Sequence, residues 1–271
     1  MTLQVQFWGV RGSMATPGKD TLRTGGNTSC VEVRNDHGGR LLFDAGSGLR
    51  VFGNQLDDDD DEVTILLSHY HWDHLLGFPV FNRMFKASST IHIYGERTAE
   101  GDAKTALMAQ FSTPHFPVPF EDISADLKFH PVKPGDELDI QGFKVKTLRL
   151  NHPNLAVGFR VECDGKSVVY ATDHEHDDAA AHQALEDFAR GANVLIYDST
   201  YDDTNYSQFA GWGHSTWQEC LRLAERASVE RPVIFHHDPE RDDGIAHAIE
   251  QEAQKMNPKA VLAREGLVLD V

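Results

Sequence analysis

Cysteine is scarce in this sequence, and the three that it has, Cys30, Cys163 and Cys220, are far apart and odd in number. A disulfide framework and a cysteine-based zinc site are therefore both disfavoured, and a reducing cytoplasm is the expected compartment. Positive charge is also scarce, because 25 Lys and Arg face 42 Asp and Glu, giving a formal net charge of −17. That balance disfavours a protein that holds duplex nucleic acid through a broad basic surface.

Long apolar runs and targeting signals are missing as well. No run approaches the roughly 20 residues of a membrane span, so no membrane partner is expected. Residues 1–8 alternate like a strand and lack the basic start and apolar block of a signal peptide. With no internal repeat or long linker, residues 1–271 are expected to form one domain. The acidic run 57–62 lacks the ligand spacing of a calcium loop and is interpreted as a solvated turn.

Strand-like runs come first along the chain and later alternate with helical patterns. The predicted strands are Gln4–Trp8, Ser29–Arg34, Arg40–Phe43, Val63–Leu67, Ile91–Tyr94, Phe143–Leu150, Ala156–Glu162, Ser167–Thr172, Val194–Asp198, Val233–His236 and Val261–Ala263. The predicted helices are Leu75–Phe85, Ala103–Phe111, Ala179–Arg190, Thr216–Ala227 and Ile245–Met256. Thr216 and Glu219 have the spacing of a capping box. This order favours an α/β fold with two mixed β-sheets packed face to face and helices outside.

Histidine is abundant, with 15 residues, and the decisive segment is Ser68-His69-Tyr70-His71-Trp72-Asp73-His74 after an apolar strand. His69 and His71 are two residues apart, so in extended chain their side chains share one face and can bind one ion. Asp73 and His74 follow where the chain must turn, which directs them toward a second ion. Several imidazoles and a carboxylate suit Zn²⁺ or a similar divalent cation.

This segment resembles the metal loop of the metallo-β-lactamase superfamily, and the resemblance extends along the whole chain. Phe43-Asp44-Ala45-Gly46 is similar to the strand-turn element before that loop. The resemblance implies an αββα sandwich with two divalent ions, zinc or manganese, and a bridging hydroxide as nucleophile. The ligand set that it implies is His69, His71 and His152 for the first ion, Asp73, His74 and His237 for the second, and Asp173 shared. Strand alternation lets only one of His236 and His237 face the site, and similarity to the family's terminal motif favours His237.

Two later motifs are similar to paired motifs of the ribonuclease Z and cyclic-phosphodiesterase branch of the superfamily. They are the segment 192–200, which ends in Tyr197-Asp198-Ser199-Thr200, and Gly213-His214-Ser215-Thr216. The resemblance implies that Asp198 orients His214 and that His214 donates a proton to the leaving oxygen. Asp73 is the third residue that we expect to be catalytic. The alternative is that His214 is an ordinary residue at a helix N-terminus.

The substrate expected from the sequence is a small, nucleotide-like and cyclic phosphodiester. Ribonuclease Z carries a long tRNA-gripping arm between the residues that match His152 and Asp173, whereas only 21 positions separate them here. The net negative charge also opposes a large polyanion. A lactone or thioester hydrolase of the same fold and a non-catalytic, metal-stabilised ligand sensor remain open as alternatives. A homodimer is compatible with the sequence.

Four residues are candidate substrate contacts. Arg11 lies in Gly9–Ser13 and Asn27 in Gly25–Ser29, segments similar to those of a bacterial subgroup of phosphodiesterase-like proteins. Arg11 could clamp phosphate or be buried in a structural ion pair, and Asn27 could donate a hydrogen bond or belong to a tight turn. His115 and Phe116 lie in a proline-rich, aromatic loop, 111–120, that could wall the pocket or pack on a helix or a second subunit.

Overall fold

The computed structural model describes residues 3–271, which form two mixed β-sheets of seven strands each. The first sheet contains, in spatial order, β14 (Val268–Asp270), β1 (Leu3–Gly9), β2 (Cys30–Asn35), β3 (Arg40–Phe43), β4 (Glu62–Leu66), β5 (Thr90–Glu96) and β6 (Asp126–Val132). The second contains β13 (Val261–Leu262), β12 (Arg231–Phe235), β11 (Val194–Asp198), β10 (Lys166–Ala171), β9 (Ala156–Cys163), β8 (Phe143–Leu150) and β7 (Glu137–Ile140).

Each sheet is antiparallel in one half and parallel in the other. Strands β14-β1-β2-β3 and β7-β8-β9-β10 pair antiparallel. Strands β3-β4-β5-β6 and β10-β11-β12-β13 pair parallel. Because parallel strands present their carboxyl ends at one edge, the residues that follow β3, β4, β10, β11 and β12 can meet there, as ligand-binding groups do in other α/β sheets.

The main core lies between the two sheets. It is built from alternate side chains of strands such as β1, in which Leu3, Val5 and Phe7 are buried while the residues between them are half-buried. The ring of Phe43 stacks between Tyr170 at 4.8 Å and Phe159 at 5.8 Å, which joins the first sheet to the second. Truncating Phe43 to Ala would cost about 3–5 kcal/mol of stability.

Helices cover the outer face of each sheet. The first sheet carries α1 (Gly48–Gly53) and α2 (Ala103–Ala109), and the second carries α3 (Ala179–Ala189), α4 (Trp217–Arg226) and α5 (Asp243–Met256). The predicted cap of α4 is confirmed, since the Thr216 side chain accepts a hydrogen bond from the Glu219 N–H at 3.1 Å. The predicted fold class is likewise confirmed. None of the helices within residues 3–271 is long and apolar enough to cross a bilayer.

The predicted helix at Leu75–Phe85 is wrong. The chain there forms short 3₁₀ turns, including Phe78–Val80 and Asn82–Phe85. Pro79 lacks the N–H that a continuous helix needs. Gly77 packs so tightly that a Cβ there would lie 2.1 Å from the Gly46 carbonyl oxygen. The sequence patterns also missed helix α1 and strands β6, β7 and β14.

Candidate active site

The candidate site lies at the edge of the sandwich where strands of both sheets end. Each of its residues belongs to a segment at or just after the carboxyl end of a strand. They are Asp44 after β3, His69, His71, Asp73 and His74 after β4, His152 after β8, Asp173 after β10, Asp198 and Thr200 at and after β11, and His236 after β12. The sequence-predicted segments therefore converge on one place, although they are spread over most of the chain.

Three of these residues turn into the site through an unusual backbone conformation. Asp44, Asp173 and His236 have φ angles of 62°, 53° and 58°, in the left-handed region that residues other than glycine rarely adopt. Such conformations cost of order 1–3 kcal/mol and persist where the surrounding structure enforces them, often at functional sites. Here they redirect each side chain just after its strand has ended.

Two groups of potential ligands lie side by side. In the first, His69, His71 and His152 have ring nitrogens within 4.8 Å of one another, and His71 Nδ1 is 3.2 Å from His152 Nε2. The second contains Asp73, whose Oδ2 lies 3.2 Å from the Nε2 of His74 and 3.3 Å from the Nε2 of His236.

Asp173 lies between the two groups, and its two carboxylate oxygens face different ones. Oδ2 is 3.7 Å from His69 Nε2 and 3.8 Å from His152 Nε2. Oδ1 is 3.3 Å from His74 Nε2 and 3.2 Å from His236 Nε2. Burial alone would raise the pKa of Asp173, but the nearby histidines, His236 first, outweigh it and hold that pKa well below its usual range. Asp173 therefore has the position of a carboxylate shared between two sites.

The imidazoles are oriented by hydrogen bonds on their outer sides. His74 Nδ1 lies 2.7 Å from Asp44 Oδ2, and His69 Nδ1 lies 3.0 Å from the Ser68 hydroxyl, which itself donates to Asp44. His236 Nδ1 lies 3.0 Å from Thr200 Oγ1. With a proton on each outer nitrogen, the inner Nε2 lone pairs point at the carboxylates. Outer partners of this kind fix the tautomer and orientation of metal-binding histidines.

The donor set fits divalent cations. The Nε2 atoms of His69 and His74 are buried and form no hydrogen bond within residues 3–271, although buried polar atoms normally have a partner. Asp73 and Asp173 are buried carboxylates, and a buried charge is costly unless it is paired or binds a metal. Imidazole nitrogens and carboxylate oxygens are ligands of Zn²⁺ and similar ions. Divalent metal binding accounts for all of these features together.

His214 and Asp198 form a buried pair beside the second group. His214 Nδ1 lies 2.8 Å from Asp198 Oδ2, and the His214 ring stacks on His236 with ring centres 5.1 Å apart. Asp198 also accepts hydrogen bonds from the backbone N–H groups of Asp173 and Ser215. Burial by itself would lower the pKa of His214, but Asp198 outweighs it and raises that pKa to about 9. Asp198 therefore favours the protonated form of the imidazole.

The preference for His237 over His236 is wrong, because His236 is the residue that reaches the cluster. His237 is buried, and both of its ring nitrogens have other partners: Nε2 lies 2.7 Å from the Ala263 carbonyl oxygen and Nδ1 lies 3.1 Å from Arg241. β12 ends at Phe235, and the left-handed backbone of His236 then turns its side chain toward Asp73 and Asp173. In addition, Gly12 leaves room for the His236 ring, since a Cβ there would lie 2.4 Å from it.

Three of the four candidate substrate contacts, Arg11, Asn27 and Phe116, are hydrogen-bonded or packed within the protein. Arg11 is fully buried and donates to the carbonyl oxygens of Gly25, Asp238 and Arg241, so it does not clamp a ligand.

Asn27 donates to Glu265 and accepts from Ser47, which satisfies its amide within a turn. Phe116 packs on Phe111 with ring centres 5.2 Å apart, in the hydrophobic layer outside the first sheet, and His115 is exposed. The 111–120 loop thus follows the packing alternative.

Asp44 also belongs to the candidate site, although it is not among the residues predicted from the sequence. Its side chain is fully buried and accepts hydrogen bonds from the Ser68 N–H, the Tyr170 hydroxyl at 2.7 Å and His74 Nδ1. The strand-turn segment Phe43-Asp44-Ala45-Gly46 was the available signal, because an acidic residue directly after a buried strand needs a partner.

Comparison with known proteins agrees with this arrangement. A family model described as "Beta-lactamase superfamily domain" matches residues 39–237. Ribonuclease Z of Thermoplasma acidophilum is 25% identical over 296 residues, which cover 89% of this chain and 88% of that protein. The crystal structure of human tRNase Z, short form, has 21% identity and a TM-score of 0.71, and covers 98% of each chain.

A second solved structure, a diphosphatase from the PhnP family, is 20% identical with a TM-score of 0.69, and covers 99% of this chain and 98% of that one. At this level of identity, both solved structures speak for the fold alone. The family model spans most of the chain and includes every residue of the candidate site. The chain therefore belongs to the beta-lactamase superfamily, and ribonuclease Z is among its relatives.

Proposed function

We propose that this protein is a metal-dependent hydrolase that uses two divalent cations to cleave small, nucleotide-like phosphodiesters, including cyclic ones. The observation that carries the proposal is the position of Asp173, whose Oδ2 faces His69 and His152 while its Oδ1 faces His74 and His236. When bound, such a pair of cations activates water and offsets the charge of phosphate oxygens.

The residues that would hold the cations are His69, His71 and His152 for one and Asp73, His74 and His236 for the other, with Asp173 between them. Zn²⁺ suits this set, and Mn²⁺ is the second candidate. Hydrogen bonds orient these side chains without any cation, as the Asp44–His74 and Thr200–His236 contacts illustrate.

His214 would supply the proton that the departing alkoxide needs. Its Nδ1–H is directed at Asp198 at 2.8 Å, so Nε2 is the atom free to donate to a leaving oxygen. The carboxylate keeps the ring charged and fixes its direction, which general acid catalysis requires. The alternative is that His214 is an ordinary residue at the N-terminus of α4. Thr216 already caps that helix, so the cap does not account for the buried Asp198–His214 pair.

Two features support a small substrate over tRNA. The residues between His152 and Asp173 are taken up by β9, β10 and their short connections, without room for an arm. A cavity of about 440 Å³ opens beside His71, and its lining includes Glu100 and Asp102 but, within residues 3–271, no Lys or Arg. That volume is in the range of small-molecule sites, and the carboxylates would repel neighbouring phosphates of a polynucleotide.

The test is a substrate panel on metal-reconstituted protein. It contains bis(p-nitrophenyl) phosphate, 2′,3′- and 3′,5′-cyclic nucleotides, a precursor tRNA, a lactone and a thioester. We expect hydrolysis of the small phosphodiesters, its loss on chelation, and its recovery with Zn²⁺ or Mn²⁺. Turnover of the acyl compounds alone would contradict the proposal and favour the lactone or thioester hydrolase. Turnover of tRNA alone would contradict the small substrate.

A further inference from the structure

The buried carboxylate of Glu175 holds the loop that carries His214. Glu175 follows Asp173 by two residues and is 3% exposed. Its Oε1 accepts hydrogen bonds from the Gly211 N–H at 2.7 Å and the Tyr206 hydroxyl at 2.9 Å. Its Oε2 accepts one from the Gly213 N–H at 2.8 Å. A single charged acceptor therefore binds both ends of the segment 206–213.

That segment is in direct contact with His152. The Gly213 carbonyl oxygen lies 2.9 Å from His152 Nδ1 and accepts a hydrogen bond from it. The Nε2 lone pair of His152 therefore faces His71 and Asp173. Gly213 has a φ of +87°, and a Cβ there would lie 2.1 Å from His152 Nδ1. The loop thus approaches the imidazole as closely as a glycine backbone permits, and its position sets the orientation of His152.

Glu175 is tied to the His152 segment by its backbone as well. Its N–H donates to the Asn151 carbonyl at 2.8 Å, and the Asn151 side chain donates to the Glu175 carbonyl at 3.0 Å. Three segments that supply site residues therefore meet at Glu175: the one ending in His152, the one starting at Asp173, and the one leading to His214. Charge-assisted hydrogen bonds of this kind are about twice as strong as neutral ones.

We propose that Glu175 is a positioning residue that fixes the 206–214 loop, so that the Gly213 carbonyl orients His152 and His214 stays beside Asp198. The first half of this proposal concerns His152 and is independent of the reaction. The second half rests on the proposed function, because it concerns proton donation by His214. Gln is nearly isosteric with Glu but neutral, and either orientation of its amide weakens the set of accepted bonds.

The experiment measures Zn²⁺ affinity by competition with a chelating dye, in the wild type and in Glu175→Gln. Partners that orient metal-binding histidines are typically worth 10–100-fold in affinity, so we expect a loss of about 10-fold or more. Glu162→Gln is the matched control, because that carboxylate is paired with Arg160 on β9, away from the loop. Circular dichroism and the melting temperature show whether each variant folds.

The second readout is the ratio of rates on phenyl and p-nitrophenyl phosphodiesters. Introduced into the wild-type sequence, Glu175→Gln should lower the rate on the phenyl ester relative to that on the p-nitrophenyl ester. Introduced into His214→Ala, it should leave this ratio unchanged, since the proton donor is already gone. Unchanged affinity and ratio in folded Glu175→Gln would overturn the proposal. If only the affinity falls while the wild type hydrolyses no phosphodiester, the role in orienting His152 stands and the proposed function fails.

Tyr206→Phe keeps the proposal testable if Glu175→Gln does not fold. The variant removes a single hydroxyl donor from Oε1 at a half-buried position. We expect a smaller loss of Zn²⁺ affinity in the same direction, within about a factor of ten. A folded Tyr206→Phe protein with wild-type affinity and ratio would then overturn the proposal.

Discussion

His214 Nδ1 lies 2.8 Å from Asp198 Oδ2, and this contact decides which nitrogen of His214 can donate a proton outward. Asp198 is itself held by the Asp173 and Ser215 N–H groups and by Thr200, so the carboxylate cannot rotate away. The same residue therefore connects His214, the proposed proton donor, to Asp173, between the two ligand groups.

Replacement of His214 by Ala should reduce the rate most for esters with poor leaving groups. General acids contribute about 10²–10⁴-fold, and we expect a loss of that order on a phenyl phosphodiester. On a p-nitrophenyl ester the leaving group needs little protonation, so the loss should stay within about 10-fold. Steady-state kinetics on both esters make the comparison, with His247→Ala, an exposed histidine on α5, as control. Equal losses on both esters would remove His214 from the acid role.

His236→Asn should lower the amount of bound metal, whereas His237→Asn should lower the stability of the fold. Loss of His236 removes a nitrogen that faces Asp73 and Asp173, so bound metal should fall. Loss of His237 breaks its bonds with Ala263 and Arg241, so the protein should keep its metal but lose about 1–3 kcal/mol of stability. Metal analysis after dialysis and urea unfolding measure the two effects. A metal-depleted His237→Asn variant of normal stability would reverse the assignment.

Asp44→Asn should weaken metal binding although Asp44 is not itself one of the proposed metal ligands. The amide cannot accept all of the hydrogen bonds that the carboxylate takes from Ser68, His74 and Tyr170. Removing such an outer partner typically costs 10–100-fold in metal affinity. Chelator competition measures the change, and Asp139→Asn, at an exposed position on β7, serves as control. Unaltered affinity in a folded Asp44→Asn protein would argue against this role.

Glu219 should give the stability a distinct pH dependence. Burial alone would raise its pKa, but hydrogen bonds from His182, Arg226 and Arg222 lower it well below its usual range. A folded-state pKa below the unfolded value of about 4.3 stabilises the protein above that pH, and the contribution is lost as pH falls through the folded pKa.

The corresponding variant is Glu219→Gln, with Glu225→Gln on the exposed face of the same helix as control. Urea unfolding should show a deficit of about 1–2 kcal/mol for Glu219→Gln that is constant from about pH 8 to pH 5.5. The deficit should narrow below about pH 5, because the wild type then loses its advantage. A deficit that grows as the pH falls would contradict the direction of the pKa shift.

Much of this site could be predicted because most of its residues come directly after predicted strands. His69, His71, Asp73 and His74 lie within six consecutive positions after a buried strand, and His152 and Asp173 each follow a strand closely. The order of strands and helices likewise indicated two packed sheets. In each case a local pattern is sufficient, since hydrophobic alternation shows where a strand ends.

The remaining features depend on backbone conformation and long-range contacts. Similarity to the family's terminal motif favoured His237, and no local sequence pattern shows that His236 adopts a left-handed conformation just after β12. Asp44 and Glu175 act through hydrogen bonds to residues distant in sequence, such as Tyr170 and Gly213. The Leu75–Phe85 helix failed because its apolar spacing outweighed Gly77 and Pro79 in the prediction.

The central claim is that Asp173 is shared between two metal sites, and counting the ions tests it most directly. Wild-type protein and Asp173→Asn are dialysed against buffered Zn²⁺, and zinc per chain is measured by mass spectrometry. The account predicts two ions per wild-type chain and a loss at both sites in the folded variant, since each oxygen of Asp173 faces one ligand group. A wild type that saturates with one ion, or an Asp173→Asn chain that still binds two, would contradict it.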